Sequence, residues 1–310
     1  MKPSQVGISL CIILLMYIQV PTLALGSPDI EIISFETAPS AIPGEEQYIE
    51  YAFVNNGNYT SGQLQLTYYL STDDTLSPRD IIVAQYTIRS LNPGEVKTAY
   101  TTESIPITVP LAMHYPILEI VPTQRGLTDL NPENNIFIAP QIEITNSRNV
   151  SREWVNKKAS EILFLKTNEE RELRHRAPLV YNELLAAISQ GHTDDMAERD
   201  YFDHLTPEGK DPYDRAVEHG YPYERVREDG TKVYGIGENI ARFATGRNRD
   251  VEGFGYINQN DPIQLADVAL TLFLNSASHK ETLLNPLYRE IGISATLARD
   301  GQYYIGQNLG

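Results

Sequence analysis

The hydrophobic pattern of the chain changes its period near residue 150, and this change most limits the folds open to it. Before that point, segments such as Gln63–Leu70 place Leu64 and Leu66 on one side and polar residues on the other, as a half-exposed β-strand does. After it, Glu153–Arg174 carries apolar residues at three- and four-residue steps, the period of an amphipathic helix. The two periods predict two domains of different class, and 310 residues provide a core for each.

The first half, up to about residue 145, is predicted to be an antiparallel β-sandwich without a helix of useful length. Turn sequences such as Asn55-Asn-Gly-Asn58 and Asn92-Pro-Gly94 separate short apolar segments, which is typical of this class. The predicted strands are Ile30–Phe35, Gln47–Val54, Gln63–Leu70, Ile81–Ile88, Val96–Thr101, Tyr115–Val121 and Ile136–Ile144.

The second half is predicted to be α+β, with a three-layer sandwich as its packing, after a polar linker at Thr145–Ser151. Its first helix is expected to break near Thr167-Asn168. A long surface loop is expected between Gly246 and Pro262. The remaining predicted helices are Asn182–Glu198, Asp211–His219 and Leu265–Ser276, and the predicted strands are Glu290–Leu297 and Gln302–Leu309.

The amino terminus has the pattern of an export signal. Lys2 precedes an apolar run from Ile8 to Val20, and the small residues at Ala24-Leu25-Gly26 suit a signal peptidase, so residues 1–26 are predicted to be removed. An uncleaved anchor is the alternative, and no later apolar stretch approaches 18 residues. The single cysteine, Cys11, lies inside this signal, so neither disulfides nor cysteine catalysis are expected. We therefore expect a secreted or cell-surface protein without a transmembrane segment after cleavage.

The charge of the chain and its missing motifs exclude several functions. A net charge of −16, from 41 acidic and 25 basic residues, repels nucleic acid phosphates, so nucleic acid is not an expected partner. The sequence contains no Gly-x-Ser-x-Gly elbow, His-Glu-x-x-His pair, phosphate loop or dinucleotide fingerprint. The common sequence signatures of hydrolases and nucleotide-binding proteins therefore do not apply to this chain.

Four motifs in the first half resemble one known module. They are "FVNNGN" from Phe53, "YYLSTDDTLSPRD" from Tyr68, "LNPGE" from Leu91 and "DLNPENN" from Asp129. In this order they resemble the CARDB module of bacterial and archaeal surface proteins. The resemblance implies an immunoglobulin-like domain over residues 28–145 with a spacer or adhesion role and no catalysis.

In the second half, two histidines and one glutamate stand at predicted element boundaries, where a fold can direct polar side chains into a cleft. His204 lies in "YFDHLTPEG", Glu238 in "GIGENIARF" and His279 in "NSASHKETLL". The glycines before Glu238 are expected to turn the backbone closely, so that its carboxylate points into the cleft. His192 lies on an apolar helical stripe and is interpreted as a core histidine.

These stretches resemble the CAP superfamily, in particular its cysteine-free prokaryotic branch of SCP-like extracellular proteins. Further matching segments are "GHTDDMAERDYFDHLTPEG" from Gly191, "DRAVEHGY" from Asp214, "LNSASHKETLLNPLYREIGI" from Leu274 and "YYIGQNLG" at the end. The resemblance assigns residues 168–310 to this domain and leaves 146–167 as linker and first helix. It implies an α-β-α sandwich whose cleft is lined by two histidines and up to two glutamates.

Carried over residue by residue, His204 and His279 match the two cleft histidines and Glu238 matches the glutamate of the Gly-Glu-Asn motif. The second glutamate is missing, because Asn275 or Ser276 occupies its place. His204, Glu238 and His279 are therefore at most three ligands for a divalent cation such as zinc, which would be bound loosely. Alternatively, the three residues form a buried hydrogen-bonded cluster that fixes the shape of the cleft.

Three functions follow as hypotheses. The preferred one is a non-enzymatic surface protein whose cleft, including Asn275 and Ser276, binds an extracellular ligand or envelope component, namely a lipid, glycan or peptide. No catalytic residue is assigned in that case. The alternative is a metal-assisted, protease-like hydrolase in which Glu238 polarises water. The third is a purely structural component of the cell envelope.

Overall fold

The computed structural model describes residues 26–146, 151–222, 224–226, 230, 232–247 and 251–310. The predicted export signal, apart from Gly26, lies outside the described residues. The described chain forms an all-β unit followed by an α+β unit, which confirms the predicted two-domain fold class. No helix among the described residues is long and apolar enough to cross a membrane.

The first unit is a sandwich of two sheets. One sheet has the strand order β1-β3-β6, and the other has the order β2-β9-β7-β4-β5 with β8 paired to β7. The strands are β1 (Ile30–Thr37), β2 (Ser40–Ala41), β3 (Glu46–Asn55), β4 (Leu64–Ser71), β5 (Ile81–Ile88), β6 (Val96–Ser104), β7 (Met113–Pro122), β8 (Ile136–Ile138) and β9 (Ile142–Ile144), with a 3-10 turn at Pro132–Asn135.

Two details of the predicted sandwich are wrong. The segment Ile136–Ile144 forms β8 and β9 rather than one strand, because Pro140 cannot donate to a ladder where the chain passes between them. The sandwich is also not wholly antiparallel, since β2 pairs with β9 in parallel.

The polar side chains of the turn motifs in this unit bind its own backbone. The Asn55 side chain accepts hydrogen bonds from the backbone N–H groups of Asp29 and Gly57 and donates one to the Tyr59 carbonyl. Asp129 accepts the backbone N–H of Ile30 at 2.8 Å. These side chains hold the loops at one end of the sandwich, so the motifs are explained by turn geometry.

The second unit is an α-β-α sandwich around a sheet with the order β10-β16-β17-β13. Its helices are α1 (Arg152–Leu173), α2 (Glu183–Arg199), α3 (Pro212–Glu218), α4 (Pro262–Asn275) and α5 (Ala277–Leu284). Its strands are β10 (Val180–Tyr181), β11 (Glu224–Val226), β12 (Lys232–Tyr234), β13 (Gly237–Ala244), β14 (Gly246–Arg247), β15 (Tyr256–Ile257), β16 (Glu290–Leu297) and β17 (Gln302–Leu309).

The alternation of residues along β16 shows how the three layers form. Ile291 and Ile293 are buried in the large core made with α1 and α4. Gly292 and Ser294 face the opposite way, where Ser294 shares a 2.7 Å hydrogen bond with Ser189 on α2. Strand β16 therefore presents apolar residues toward α1 and α4 and small or hydroxylated residues toward α2.

Two predicted helix features are wrong. Helix α1 continues through Thr167. This residue can be buried within the helix, because its hydroxyl accepts a hydrogen bond from the Gln307 side chain at 2.9 Å. The predicted helix Leu265–Ser276 ends at Asn275 instead. Ser276 has an extended backbone and caps α5, its hydroxyl accepting the backbone N–H of His279.

A buried arginine fixes α5 against α1. Arg171 is fully buried, and its guanidinium donates to the carbonyl groups of Ala177, Leu283 and Asn285 at 2.9, 2.6 and 3.2 Å. Two of these carbonyls belong to the end of α5, where they have no partner within the helix. Arg171 thus holds the helix that carries His279.

The two units are joined by a charged and aromatic contact. The buried ammonium of Lys158 on α1 contacts Glu36 at 2.6 Å and Glu50 at 3.3 Å, both on strands of the first unit. Beside it, the rings of Tyr48 and Trp154 meet edge to face at 5.7 Å between centroids. Tyr48 is part of the core of the second unit, so the two domains share packed surface.

Candidate functional site

The fold brings together the three residues that the sequence singled out. His204 follows α2, Glu238 lies near the start of β13, and His279 lies in the first turn of α5. The Nδ1 atom of His204 is 2.8 Å from Oε1 of Glu238, and the ring centroids of His204 and His279 are 6.5 Å apart. The three side chains therefore form one polar site at the β13 edge of the sheet.

The glycines before Glu238 have different roles. Gly235 turns the chain with a positive φ of 70°, as expected. Gly237 is already in β13 and does not turn the chain. A Cβ atom at Gly237 would lie 2.5 Å from the Tyr288 hydroxyl, so this glycine makes room for a ring that packs across the strand.

Glu238 is buried and paired with an arginine that the sequence analysis did not single out. Its side chain is only 2% exposed, and Nη2 of Arg215 on α3 lies 2.6 Å from Oε2. Arg215 is 7% exposed and also donates to the carbonyls of His204 and Lys210. With its amide nitrogen turned toward the site, Asn308 donates to Oε2 at 3.2 Å. Both oxygens of Glu238 are thus engaged, one by His204 and one by Arg215 and Asn308.

His192 is buried, as interpreted from the sequence, and lies behind the same carboxylate. Its Nε2 atom is 3.0 Å from the Asp203 carbonyl and 3.9 Å from Oε1 of Glu238. Burial lowers the pKa of His192, although the charge of Glu238 opposes the shift. A neutral His192 supports the loop that carries His204 by bonding its backbone.

His279 is placed by a chain of buried amides. Asn239 donates from its side chain to the His279 carbonyl at 3.1 Å and to Gln307 at 3.2 Å, and Gln307 donates to Thr167. Among the described residues, Nδ1 of His279 is buried without a hydrogen-bond partner. Burial, and next the nearby His204, lower the pKa of His279, which favours the neutral ring.

His204 has the opposite tendency. The hydrogen bond to Glu238 raises the pKa of His204, although burial and Arg215 oppose the shift. Its side chain remains 47% exposed. Because the pKa is raised on folding, the stabilisation from this bond is fully present below the unfolded value of about 6.5 and is lost as pH rises through the folded pKa. Neighbouring imidazoles thus favour opposite charge states.

Asn275 and Ser276, the other two predicted cleft residues, lie at the junction of α4 and α5. Asn275 ends α4 with an exposed side chain, and Ser276 uses its hydroxyl in the cap of α5 and in a 3.2 Å contact with Ser278. Within the described part of the chain, no hydrogen bond joins either residue to the side chains of His204, Glu238 or His279. Their role in ligand binding stays a prediction.

The donor set does not fit a tightly bound metal ion. Both oxygens of Glu238 and Nδ1 of His204 are already used within the network. Nowhere in the described ranges do three or more histidine, cysteine, aspartate or glutamate side chains stand ready to hold one ion. A cation would have to compete with Arg215 for the carboxylate.

Arg215 and Asn308 are the partners of Glu238 that the sequence did not reveal. Both lie in matched motifs, "DRAVEHGY" and "YYIGQNLG", but a polar residue on a short helix or last strand is usually solvated. One local signal could have pointed to Arg215. The capping residue Asp211 marks the start of a helix of only two turns, and Arg215 lies next to Ala216 on that helix. One face of such a helix must pack, and Arg215 and Ala216 are its buried residues.

Comparison with family models identifies both units. Residues 164–309 match the model described as the cysteine-rich secretory protein family, CAP, and residues 27–139 match CARDB. The uncharacterized protein YkwD of Bacillus subtilis (strain 168) is 26% identical over 172 residues, which are 55% of this chain and 54% of that protein. The chain therefore spans about half the length of this curated relative.

Two solved structures are similar to the chain at low sequence identity. An extracellular protein containing an SCP domain from Bacillus anthracis is 15% identical, with a TM-score of 0.40 over 88% of this chain and 87% of that chain. An outer surface protein from Borrelia burgdorferi is 18% identical, with a TM-score of 0.37 over 50% of this chain and 92% of that chain.

Proposed function

The chain carries a CARDB domain followed by a CAP domain, and from this we propose that it works outside the cell as a non-enzymatic ligand-binding module. In this proposal the CARDB sandwich is the spacer that presents the CAP cleft. The contact at Lys158 holds the two domains together, so the cleft has a defined orientation on the spacer.

The observation that carries this proposal is the pairing of Glu238 with Arg215. A general base, or a carboxylate that polarises metal-bound water, needs an oxygen that is free to reach the proton or the water. Glu238 is instead buried with each oxygen held by a cation or an amide. Such a network fixes geometry, because removing either charge would leave the other unpaired in a buried place.

The chemistry of the exposed groups suggests what the ligand offers. His204 is about half exposed and favours the charged ring, so its second nitrogen is a donor for a carboxylate, phosphate or sugar hydroxyl. Leu205 beside it is 48% exposed and provides apolar surface. A lipid with a polar headgroup, a glycan or a peptide would meet both requirements.

A metal-assisted hydrolase is the second candidate, and one observation favours it. His204 and His279 have pKa values shifted in opposite directions, an arrangement that acid–base catalysts also use. Calorimetric titration of residues 27–310 with zinc tests it. Stoichiometric binding that is lost in His204→Asn and in His279→Asn would overturn the non-enzymatic proposal.

The ligand itself is expected to co-purify with the exported protein. Mass spectrometry of bound small molecules should find a ligand in the wild type and a large loss of it in His204→Asn. The matched control is His175→Asn, because His175 is an exposed histidine with a φ of 55° that asparagine tolerates. If the wild type and His204→Asn carry the same amount of ligand, or neither carries any, the binding proposal fails and a purely structural role is favoured.

A further inference from the structure

A second groove runs along the β10 edge of the CAP sheet, the edge opposite the one at which His204, Glu238 and His279 lie. It lies between α1 and α2 and has a volume of about 970 Å³. The groove exists because β10 pairs only with Glu290 and Ile291, so in the described chain no strand covers this edge of β16 beyond that point, whereas β17 pairs with its other edge. The space that a longer strand would fill is left open.

The groove has an apolar floor. Phe164 of α1 and Tyr181 of β10 meet edge to face at 5.4 Å between centroids, and both are only partly buried. Ile293 and Ala295 line the groove at the sheet edge. On the α2 side, the groove is lined by the small residue Ala187, which is exposed. Apolar side chains of a partner would find partly exposed surface here to bury.

The rim of the groove is acidic. Four carboxylates line it, from Glu50, Glu153, Glu161 and Glu183, against one lysine, Lys157. Lys158 neutralises part of this charge through its contacts with Glu50 and Glu161. Glu153 and Glu183 are exposed on opposite walls, one at the start of α1 and one at the start of α2. The net field attracts cations, in agreement with the charge of −16 for the chain.

The length of the groove fits a short extended segment. Its α1 wall runs from Glu153 to Leu165, which at about 1.5 Å per residue is about 18 Å. An extended peptide of about five or six residues covers that distance. In such a peptide alternate side chains point to opposite sides, so one set would lie on the apolar floor and the other at the acidic rim.

We propose that this groove binds an extended segment of a partner protein in which basic and apolar residues alternate. The apolar side chains contact Phe164 and Tyr181, and the basic side chains contact Glu153 and Glu183. The groove is independent of the His204 cleft, because the two sites share none of their residues. It provides a protein-docking surface in addition to the ligand cleft.

Fluorescence anisotropy with an amidated, labelled heptapeptide of alternating lysine and valine tests the proposal on residues 27–310. We expect saturable binding that weakens between about 0.05 M and about 0.5 M salt. Glu153→Gln/Glu183→Gln should weaken it at least about threefold at low salt. Ala187→Trp, which fills the groove from an exposed position, should weaken it at least about tenfold without lowering the melting temperature.

Three controls establish whether the peptide occupies the groove. Glu143→Gln removes an exposed charge in the CARDB domain and should leave binding unchanged. His204→Asn should also leave it unchanged, whereas loss of binding in that variant would place the peptide in the cleft and overturn the proposal. Absence of binding, equal binding by Ala187→Trp, or equal binding of a glutamate–valine peptide would overturn it as well.

Discussion

Replacing Gly292 with alanine is expected to cost the CAP domain about 3 kcal/mol or more of its free energy of unfolding, since the clash exceeds ordinary overpacking. A Cβ atom at this position would lie 1.9 Å from the backbone nitrogen of Ala186 and 2.2 Å from the carbonyl carbon of Leu185. Both atoms belong to helix backbone, so no side chain can rotate away. Helix α2 would have to move off the sheet, and with it His192 and the loop of His204. Urea unfolding followed by circular dichroism measures the loss.

The matched control is Gly191→Ala on the same helix. Gly191 is exposed, and an added Cβ would meet nothing within 4 Å. Alanine there is expected to stabilise the helix by about 0.5–1 kcal/mol, because glycine is the poorer helix former. If Gly292→Ala unfolded at the same urea concentration as the wild type, the close packing of α2 on β16 would be refuted.

Replacing Arg215 with methionine is expected to destabilise the CAP domain by about 3–5 kcal/mol at neutral pH, the usual cost of breaking a buried ion pair from one side. The substitution removes the buried cation from the 2% exposed carboxylate of Glu238, which is left with His204 and Asn308 as hydrogen-bond partners. It also removes the hydrogen bonds to the carbonyls of His204 and Lys210. Urea unfolding again provides the measurement.

The double variant Arg215→Met/Glu238→Gln tests whether the loss arises from the unpaired charge. With the carboxylate replaced by a neutral amide, a substantial part of the stability should return. Arg299→Met, at an exposed position, is the control and should change stability by less than about 0.5 kcal/mol. A loss in Arg215→Met as small as in this control would show that the pair does not hold the site together.

Local patterns in the sequence predicted the fold well. The strands Glu290–Leu297 and Gln302–Leu309 were predicted with the bounds that the structure has, because their composition and the Asp-Gly turn between them are local signals. The break predicted in α1 was wrong because contacts outside the helix, which local patterns do not show, stabilise it there. Thr167 and Asn168 are poor helix formers on their own, and their partners Gln307 and Leu179 are distant or beyond the helix.

The candidate site was predicted only in part. Motif resemblance identified His204, Glu238 and His279, which the fold does bring together. It could not reveal that Arg215 neutralises Glu238, because their pairing depends on how α3 packs beside β13. The burial of two opposite charges is a property of the tertiary structure, and no pattern within either motif encodes it.

The pairing of Glu238 with Arg215 changes how the site is interpreted. A lone glutamate between two histidines resembles an incomplete metal or catalytic centre. A glutamate shared between Arg215 and His204 fits the proposed role of an anchor, because its hydrogen bond positions one imidazole at the surface and raises the pKa of His204, which favours the charged ring. Such an anchor requires His204 to be bonded to Glu238 in solution.

The most direct test is the ring titration of His204 by NMR in the wild type and in Glu238→Gln, from about pH 5 to about pH 9, the range around an ordinary histidine. We expect the wild-type pKa of His204 to lie above the ordinary value and to fall toward it in Glu238→Gln, with His279 titrating below His204 in the wild type. Equal pKa values for His204 in the two proteins would contradict the shared-carboxylate network and reopen Glu238 as a free catalytic or metal-binding group.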